Sequence, residues 1–563
     1  MRAAVFSERA QWRDVAHLGG KPSGFFQSKQ EILIPIALLG LAVLCYASII
    51  PTYFLSDDFD LIGKVVRRGM YYTWGGFLRP GTVLSFVIDH SVWGLNPIGY
   101  HLTNILFHSI AGYCVFLIAR RFFREVQFTE PVLFSFLSAS LFIALPSHSE
   151  AVSWISGRTD VIATALALLS TVSFLSLFEK RSLLHMGMAL VLFAAALLTK
   201  ENVITLPLMW GAILVYYWYV KKQRPAISCV VVLFLSFLLL AAYFVLRKVV
   251  LNQYLGGYGN SGHIPTFGIS SVRHLAQYVF RTFIPPFPDD FSIILLLAFG
   301  FTIGVVATAT VFRRKQLSLF GLPIVGLFVI CYLFALIPVI NAAPRLNDTI
   351  SERYLYLPSV FACLLLPYLS TVCIPRTRLL KTALLLLIIA QGVALQWVNG
   401  RWVTASQLCK QIAYEVSQKD PASTIILNVP DNYRGAWVFR NGLNEASTIF
   451  TGNRTQVPYR RISVHGVETM DQIFGVSSDS NSVTLTPPYP ITLHYTDDFG
   501  YEIRENHYSI TVGNIPGASS EVVSLLSFTN GNRKPLLQTI LSRSRLVPTS
   551  EPRSVVLPDN QSK

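Results

Sequence analysis

The feature that most constrains this chain is a succession of apolar runs, many of them long enough to cross a bilayer. A spanning helix needs roughly 20 largely apolar residues, and about eleven runs qualify. They lie at 31–54, 99–121, 131–146, 160–178, 183–199, 202–220, 226–247, 290–312, 318–340, 354–373 and 380–398. With 52% hydrophobic and 14% charged residues over 563 positions, the composition excludes an ordinary soluble fold. The expected architecture is a polytopic α-helical membrane protein.

A net charge of +15 would suit a nucleic-acid binder, but its placement says otherwise. Arg120, Arg121 and Arg124 follow the second run, Lys180 and Arg181 the fourth, and Lys221, Lys222 and Arg224 the sixth. Arg313, Arg314 and Lys315 follow the eighth, and Arg376, Arg378 and Lys381 the tenth. Every second boundary is basic, as is the segment before the first run. By the positive-inside rule these boundaries are cytoplasmic, so the N-terminus faces in and everything after the last run faces out. The first segment is not read as a cleaved signal, because the run behind it has no small-residue cleavage site. Of the 7 cysteines, Cys409 alone lies in the exported region, so neither a disulfide framework nor a zinc site is expected. These signs fit a bacterial inner membrane with a periplasmic C-terminal part.

Two outward links, about 55–98 and 248–289, are long enough to hold helices of their own. In the first, Ser56 is placed to cap a helix running to Gly69, with Phe59, Ile62 and Val66 on an apolar face in the interface plane. In the second, 271–283 is a similar candidate. After Trp402 the apolar runs shorten and period-2 stretches appear at 482–486, 491–495 and 508–512. The expected division is a cytoplasmic segment at 1–30, a transmembrane domain at 31–402, a β-rich extracytoplasmic domain at 403–535 and a disordered tail at 536–563.

Ionisable residues gather in the outward links, where desolvation is costly and several together suggest a reaction or a permeation path. Asp57 and Asp58 are adjacent, which raises one pKa and suits a base that takes a proton from a hydroxyl. Acids in a first helical turn also simply favour the dipole. His148 and Glu150 can orient a substrate hydroxyl, and Arg158 can hold a phosphate through its planar fork. An internal pair of Arg158 with Asp160 or Glu150 is the plainer alternative. Lys200 and Glu201 form either a charged site or a solvated turn; Arg353 can bind a phosphate, or Glu352 and Arg353 anchor a helix end. Arg79 completes the set.

In chain order, the acid pair is followed by Leu78-Arg-Pro-Gly-Thr-Val-Leu-Ser-Phe86 and Pro97-Ile-Gly-Tyr-His-Leu-Thr-Asn-Ile-Leu-Phe-His108. Then come His148-Ser-Glu-Ala-Val152, Gly157-Arg-Thr-Asp160, Thr199-Lys-Glu-Asn202 and Glu352-Arg-Tyr-Leu-Tyr-Leu-Pro-Ser359. This series resembles the transmembrane O-mannosyltransferases that carry tetratricopeptide repeats. More broadly it resembles the GT-C glycosyltransferases, among them the protein O-mannosyltransferases and the aminoarabinose transferases. The chain lacks the helical repeats of the former. The resemblance implies a polyprenyl-phosphate sugar as donor, inverting transfer on the extracytoplasmic face, and Asp57 as general base. It also implies substrate or phosphate contacts for Arg79, His148, Glu150, Arg158, Asp160, Lys200, Glu201, Glu352 and Arg353. The leaving phosphate needs no obligatory metal, although Asp57 and Asp58 could hold a divalent one. The expected partners are the lipid-linked donor, membrane lipid and a glycan, lipid or protein acceptor. The rival readings are a transporter for a lipid-linked glycan and a membrane-anchored binding protein.

Overall fold

The computed structural model describes residues 24–451 apart from 75, 129, 180–181, 255–267, 288–299, 301–320, 374–376, 419–423, 428 and 430. Beyond 451 it describes the backbone of nine strands between Arg460 and Pro548. Among the described residues, six helices are long and apolar enough to span a bilayer: Pro97–Glu125, Ile155–Ser176, Glu201–Val220, Ile227–Leu251, Leu322–Val339 and Thr377–Ser417. The pair Pro131–Ala144 and Pro146–Ser153, bent by 55°, is either a seventh, broken span or a re-entrant loop. The chain is thus a multi-pass membrane protein, with six or seven helices that qualify among the described residues against about eleven runs expected.

Part of the difference has local causes. The run 31–54 yields an apolar helix only over Ile32–Tyr46, because turns ending at Pro51 take the rest. Leu183–Leu197 is likewise short. The run 290–312 lies outside the described residues save for Gly300.

Burial separates the central helices from the peripheral ones. Ile155–Ser176 has 78% of its most apolar stretch buried, whereas Ile227–Leu251 has 22% and turns Phe234, Leu238, Val245 and Val249 outward. In water that exposure would be untenable, but in lipid it is the expected surface.

The first outward link holds two helices, Asp57–Arg68 and Pro80–Trp93. The second was not foreseen. In the first, Phe59, Leu61, Ile62 and Val65 are buried while Val66 is exposed, so the apolar face is rotated from the one expected. The helix near 271 runs Ile269–Phe283.

Thr377–Ser417 is 41 residues long, roughly 60 Å at 1.5 Å per residue, about twice a bilayer core. It therefore continues well past Trp402 and out of the membrane. Its far half buries Ala405, Cys409, Ile412 and Ala413 and packs against the helix Leu443–Thr451. Beyond it, strands form a six-stranded sheet in the order Tyr501–Glu505, Ile491–Tyr495, Arg460–Val464, Thr424–Leu427, Val523–Phe528, Pro535–Leu541. A four-stranded sheet has the order Ser544–Pro548, Ile510–Asn514, Val483–Thr486, Gly475–Ser478. The last strands thus occupy the start of the stretch expected as a tail, and 549–563 lies outside the described residues.

Candidate functional site

The polar stretch after Ala144 is not a surface link. Leu145 is extended, Pro146–His148 forms a tight turn, Ser149–Ser153 a short helix, and Ile155–Gly157 a second tight turn before the helix Arg158–Ser176. Gly157 permits this doubling back, since a Cβ there would sit 2.4 Å from the Glu150 carbonyl. His148, Glu150, Arg158 and Asp160 are all fully buried by it. Charges so placed stand only if they are paired and hydrogen-bonded.

They are paired, though not as the sequence alternatives had it. Arg158 Nη1 meets Asp89 Oδ2 at 2.5 Å, and its Nη2 donates to the Tyr100 carbonyl at 2.8 Å. Asp160 accepts from Lys200 Nζ at 2.5 Å and from Asn202 Nδ2 at 3.1 Å. Glu150 is bound by the Arg353 guanidinium and by the Arg353 backbone N–H, and accepts from Trp437 Nε1 at 3.1 Å. Arg79 clasps Glu201 with two donors, at 2.5 and 3.1 Å. Glu352 pairs with Arg281, both fully buried, and accepts from Ser149 Oγ at 3.1 Å. His148 Nε2 lies 2.8 Å from Ser359 Oγ. Lys200 is 2% exposed, so the solvated-turn reading of that tip is overturned. Every ionisable residue singled out in the later links is thereby tied to another polar side chain of the set or to Asp89, Arg281 or Ser359.

The two first-link acids differ sharply. Asp58 is fully buried; its Oδ2 accepts from the Leu55 N–H at 2.9 Å, and its Oδ1 from Ser156 N–H at 2.8 Å and Ser156 Oγ at 2.5 Å. Burial pushes its pKa up to about 7, against those hydrogen bonds. Both oxygens are occupied, which leaves it poorly made to share a divalent cation with Asp57. Asp57 is only partly buried and its Oδ1 accepts from Asn441 Nδ2 at 2.6 Å. Desolvation raises its pKa, while the Asn441 bond and the charges of Arg440 and Arg353 oppose the rise. Among the described residues no group of three or more His, Cys, Asp or Glu converges on a common point.

Ser56 was expected to cap the helix and does not. Its φ of 44° lies in the left-handed region, and no side-chain cap bond forms. Instead its Oγ accepts from the Asn441 N–H at 3.2 Å, and its own N–H donates to the Val438 carbonyl at 2.9 Å. The segment 431–443, beyond the compositional boundary, thus lies directly over the first-link helix. Sequence reasoning missed Trp437, Arg440 and Asn441 there, and also Asp89 and Arg281. Asp89 carried a signal, being the lone acid in the apolar stretch 82–93. The residues of 431–443 carried none.

No family model matches the chain. Protein O-mannosyl-transferase Tmtc1 of Drosophila melanogaster is 34% identical over 148 residues, 26% of this chain and 16% of that protein. Protein O-mannosyl-transferase F38B6.6 of Caenorhabditis elegans is 23% identical over 429 residues, 69% of this chain and 58% of that one. The chain thus spans less than two thirds of the length of these curated relatives. Among solved structures, ArnT from Cupriavidus metallidurans bound to undecaprenyl phosphate superposes with a TM-score of 0.46 at 12% identity, over 77% of this chain and 93% of that one. The motifs that carried the sequence resemblance and the sequence matches point the same way: this is a multi-pass membrane protein similar to the protein O-mannosyl-transferases.

Proposed function

We propose that the chain is a GT-C-type glycosyltransferase that moves a sugar from a polyprenyl-phosphate donor to an acceptor hydroxyl at the extracytoplasmic face. The observation that carries this reading is the inequality of two neighbouring acids. Asp58 has both oxygens locked by protein donors, whereas Asp57 is partly exposed and has Oδ2 without a partner among the described residues. A carboxylate with a free oxygen and a raised pKa is what a general base for a hydroxyl requires.

In this reading the acceptor O–H donates to Asp57. As the acceptor oxygen forms its bond to the anomeric carbon, the bond from that carbon to the phosphate oxygen breaks. The proton passes to Asp57, and the bonding pair leaves on the phosphate. Attack opposite the leaving group inverts the anomeric configuration. Arg353 is the best-placed cation for the phosphate. Its side chain is 16% exposed, lies 4.8 Å from the Tyr354 ring and 5.6 Å from the Trp154 ring, and its charge is felt at Asp57. To bind phosphate it would exchange one carboxylate oxygen of Glu150 for a phosphate oxygen, a like-for-like charge-assisted bond. Lys200 lies 5.1 Å from the same Tyr354 ring, but is held by Asp160. Arg158 and Arg281 are too deeply committed to move, and act as framework. The names of the relatives make mannose the first sugar to try and a protein the first acceptor; bacterial inner membrane, with segment 1–30 inside, is the proposed setting.

The test is Asp57→Asn, assayed in membranes with labelled synthetic polyprenyl-phosphate mannose. Transfer should fall by about 10²-fold or more while accumulation and melting midpoint stay normal. Turnover within a few-fold of the parent removes Asp57 as base.

A further inference from the structure

We infer that Asn441 is a positioning residue for Asp57, and that the segment 431–443, beyond the last membrane helix, is one wall of the transfer site. The inference rests on the reading of Asp57 as base. The contacts behind it are seen in the structure whatever the role of Asp57. Asn441 reaches the first link twice, from its amide to Asp57 Oδ1 at 2.6 Å and from its backbone N–H to Ser56 Oγ at 3.2 Å. Ser56, immediately before the base, is held at φ 44° and ψ −115°, a conformation that non-glycine residues adopt only when their surroundings impose it. The same segment imposes it: Val438 accepts the Ser56 N–H, and Gly442, at φ +81°, lies so close that a Cβ would fall 2.5 Å from the Ser56 carbonyl.

Phe439 adds a ring stacked on Phe59 at 5.7 Å, fixing the segment to the buried face of the first-link helix. At its other end Trp437 donates to Glu150, the carboxylate that holds Arg353. One short stretch of chain therefore touches the base on one side of the reacting sugar and, on the other, the partner of the cation assigned to the phosphate.

The consequence is a defined response to pH. Asp57 faces Asp58 and Asp60 on its own helix, Arg353 on the turn Glu352–Leu355, and Arg440 and Asn441 on the segment. Asp60 is itself engaged by Lys64 and by Trp74 Nε1, and Glu445 on the neighbouring helix by Arg67. Of these, the Asn441 amide is the one that donates directly to the ionised carboxylate, so its loss should raise the pH at which Asp57 ionises. A base is active only when ionised, so activity is lost from the acid side and recovered as pH rises.

The experiment follows transfer from labelled synthetic polyprenyl-phosphate mannose between pH 5 and 9, in membranes containing the full chain. Asn441→Ala should move the acid limb upward by about one pH unit, roughly tenfold less activity below it, with little change at high pH. Asn441→Gln, which keeps the amide donor, should return part of the shift. Arg440→Ala, at a solvated position, should shift the limb the same way by less. If Asn441→Ala fails to accumulate, the isosteric Asn441→Asp puts a like charge against Asp57 and must shift the limb further. A profile that keeps its midpoint in these variants, whatever its height, overturns the inference while leaving the base intact. Asp57→Asn run alongside separates the two: activity there, or no transfer by the unsubstituted chain, sinks the reading beneath.

Discussion

The two ends of the helix bundle differ in their most buried ion pairs. At one end Arg121 pairs with Glu179, whose side chain is 68% exposed, and Lys381 with Glu130, which are 33% and 45% exposed. At the other, Arg158–Asp89, Lys200–Asp160 and Arg281–Glu352 are at most 5% exposed. The residue types are the same; the solvent differs. Exposed pairs add little stability, and basic residues at helix ends in general bias which side of a membrane they occupy. Buried pairs hold the broken helices around 145–160 in place, because neither partner can be left desolvated and alone. Asp57, with one oxygen still open, belongs to neither class. That is what marks it out.

The difference should appear first as stability. Arg158→Ala strands Asp89 in the interior and also removes the donors to the Tyr100 and Ile155 carbonyls. The expected cost is about 3–5 kcal/mol, the range for breaking one side of a buried pair. It would register as a collapse in the yield of folded protein and a large drop in melting midpoint in detergent. An unchanged midpoint would show that the buried pairs are dispensable, and the contrast between the two ends would vanish.

How far the sequence reveals these roles depends on the kind of signal. Apolar length and alternating basic boundaries are one-dimensional, so the helices and the gathering of polar links were legible. Pairing is not. Arg158 and Asp160 are neighbours in sequence yet bind Asp89 and Lys200, because the tight turn at Ile155–Gly157 fixes where each side chain can reach. The Ser56 cap was read from residue type alone, and tertiary contacts from 431–443 took its hydroxyl instead. Trp402 marked a real change in composition, but the helix there continues to Ser417 because Ala405, Cys409 and Ile412 still have a buried face to fill. Asn441, beyond that boundary, follows the short apolar run 436–439, and no periodicity there ties it to the first link.

A smaller effect separates the two adjacent acids by pH. The folded-state pKa of Asp58, about 7, lies above its ordinary 3.8, so folding favours its protonated form. That contribution to stability is fully present below about pH 4 and is lost as pH rises through 7. Between those values the loss is on the order of 1 kcal/mol per pH unit. Asp58→Asn cannot ionise, so its melting midpoint should change less from pH 5 to 8. It should lie slightly below the parent at pH 5, where an acceptor for the Leu55 N–H is missing, and meet or exceed it at pH 8. Parallel curves would mean that the three donors keep Asp58 ionised throughout, and that its burial is no source of pH sensitivity.

The weakest expected effect is the most direct check on the opening contrast. Glu130→Gln removes the acid from an ion pair that is exposed on both sides and leaves Lys381 free to be solvated. The change in stability should be under about 1 kcal/mol and should shrink further in high salt. Sugar transfer should not change, because Glu130 lies at the end of the bundle that carries the basic boundaries. A loss comparable to that of Arg158→Ala would mean that this end too depends on specific pairing. The distinction between charge that orients the chain and charge that builds its site would then rest on exposure alone, and not on energy.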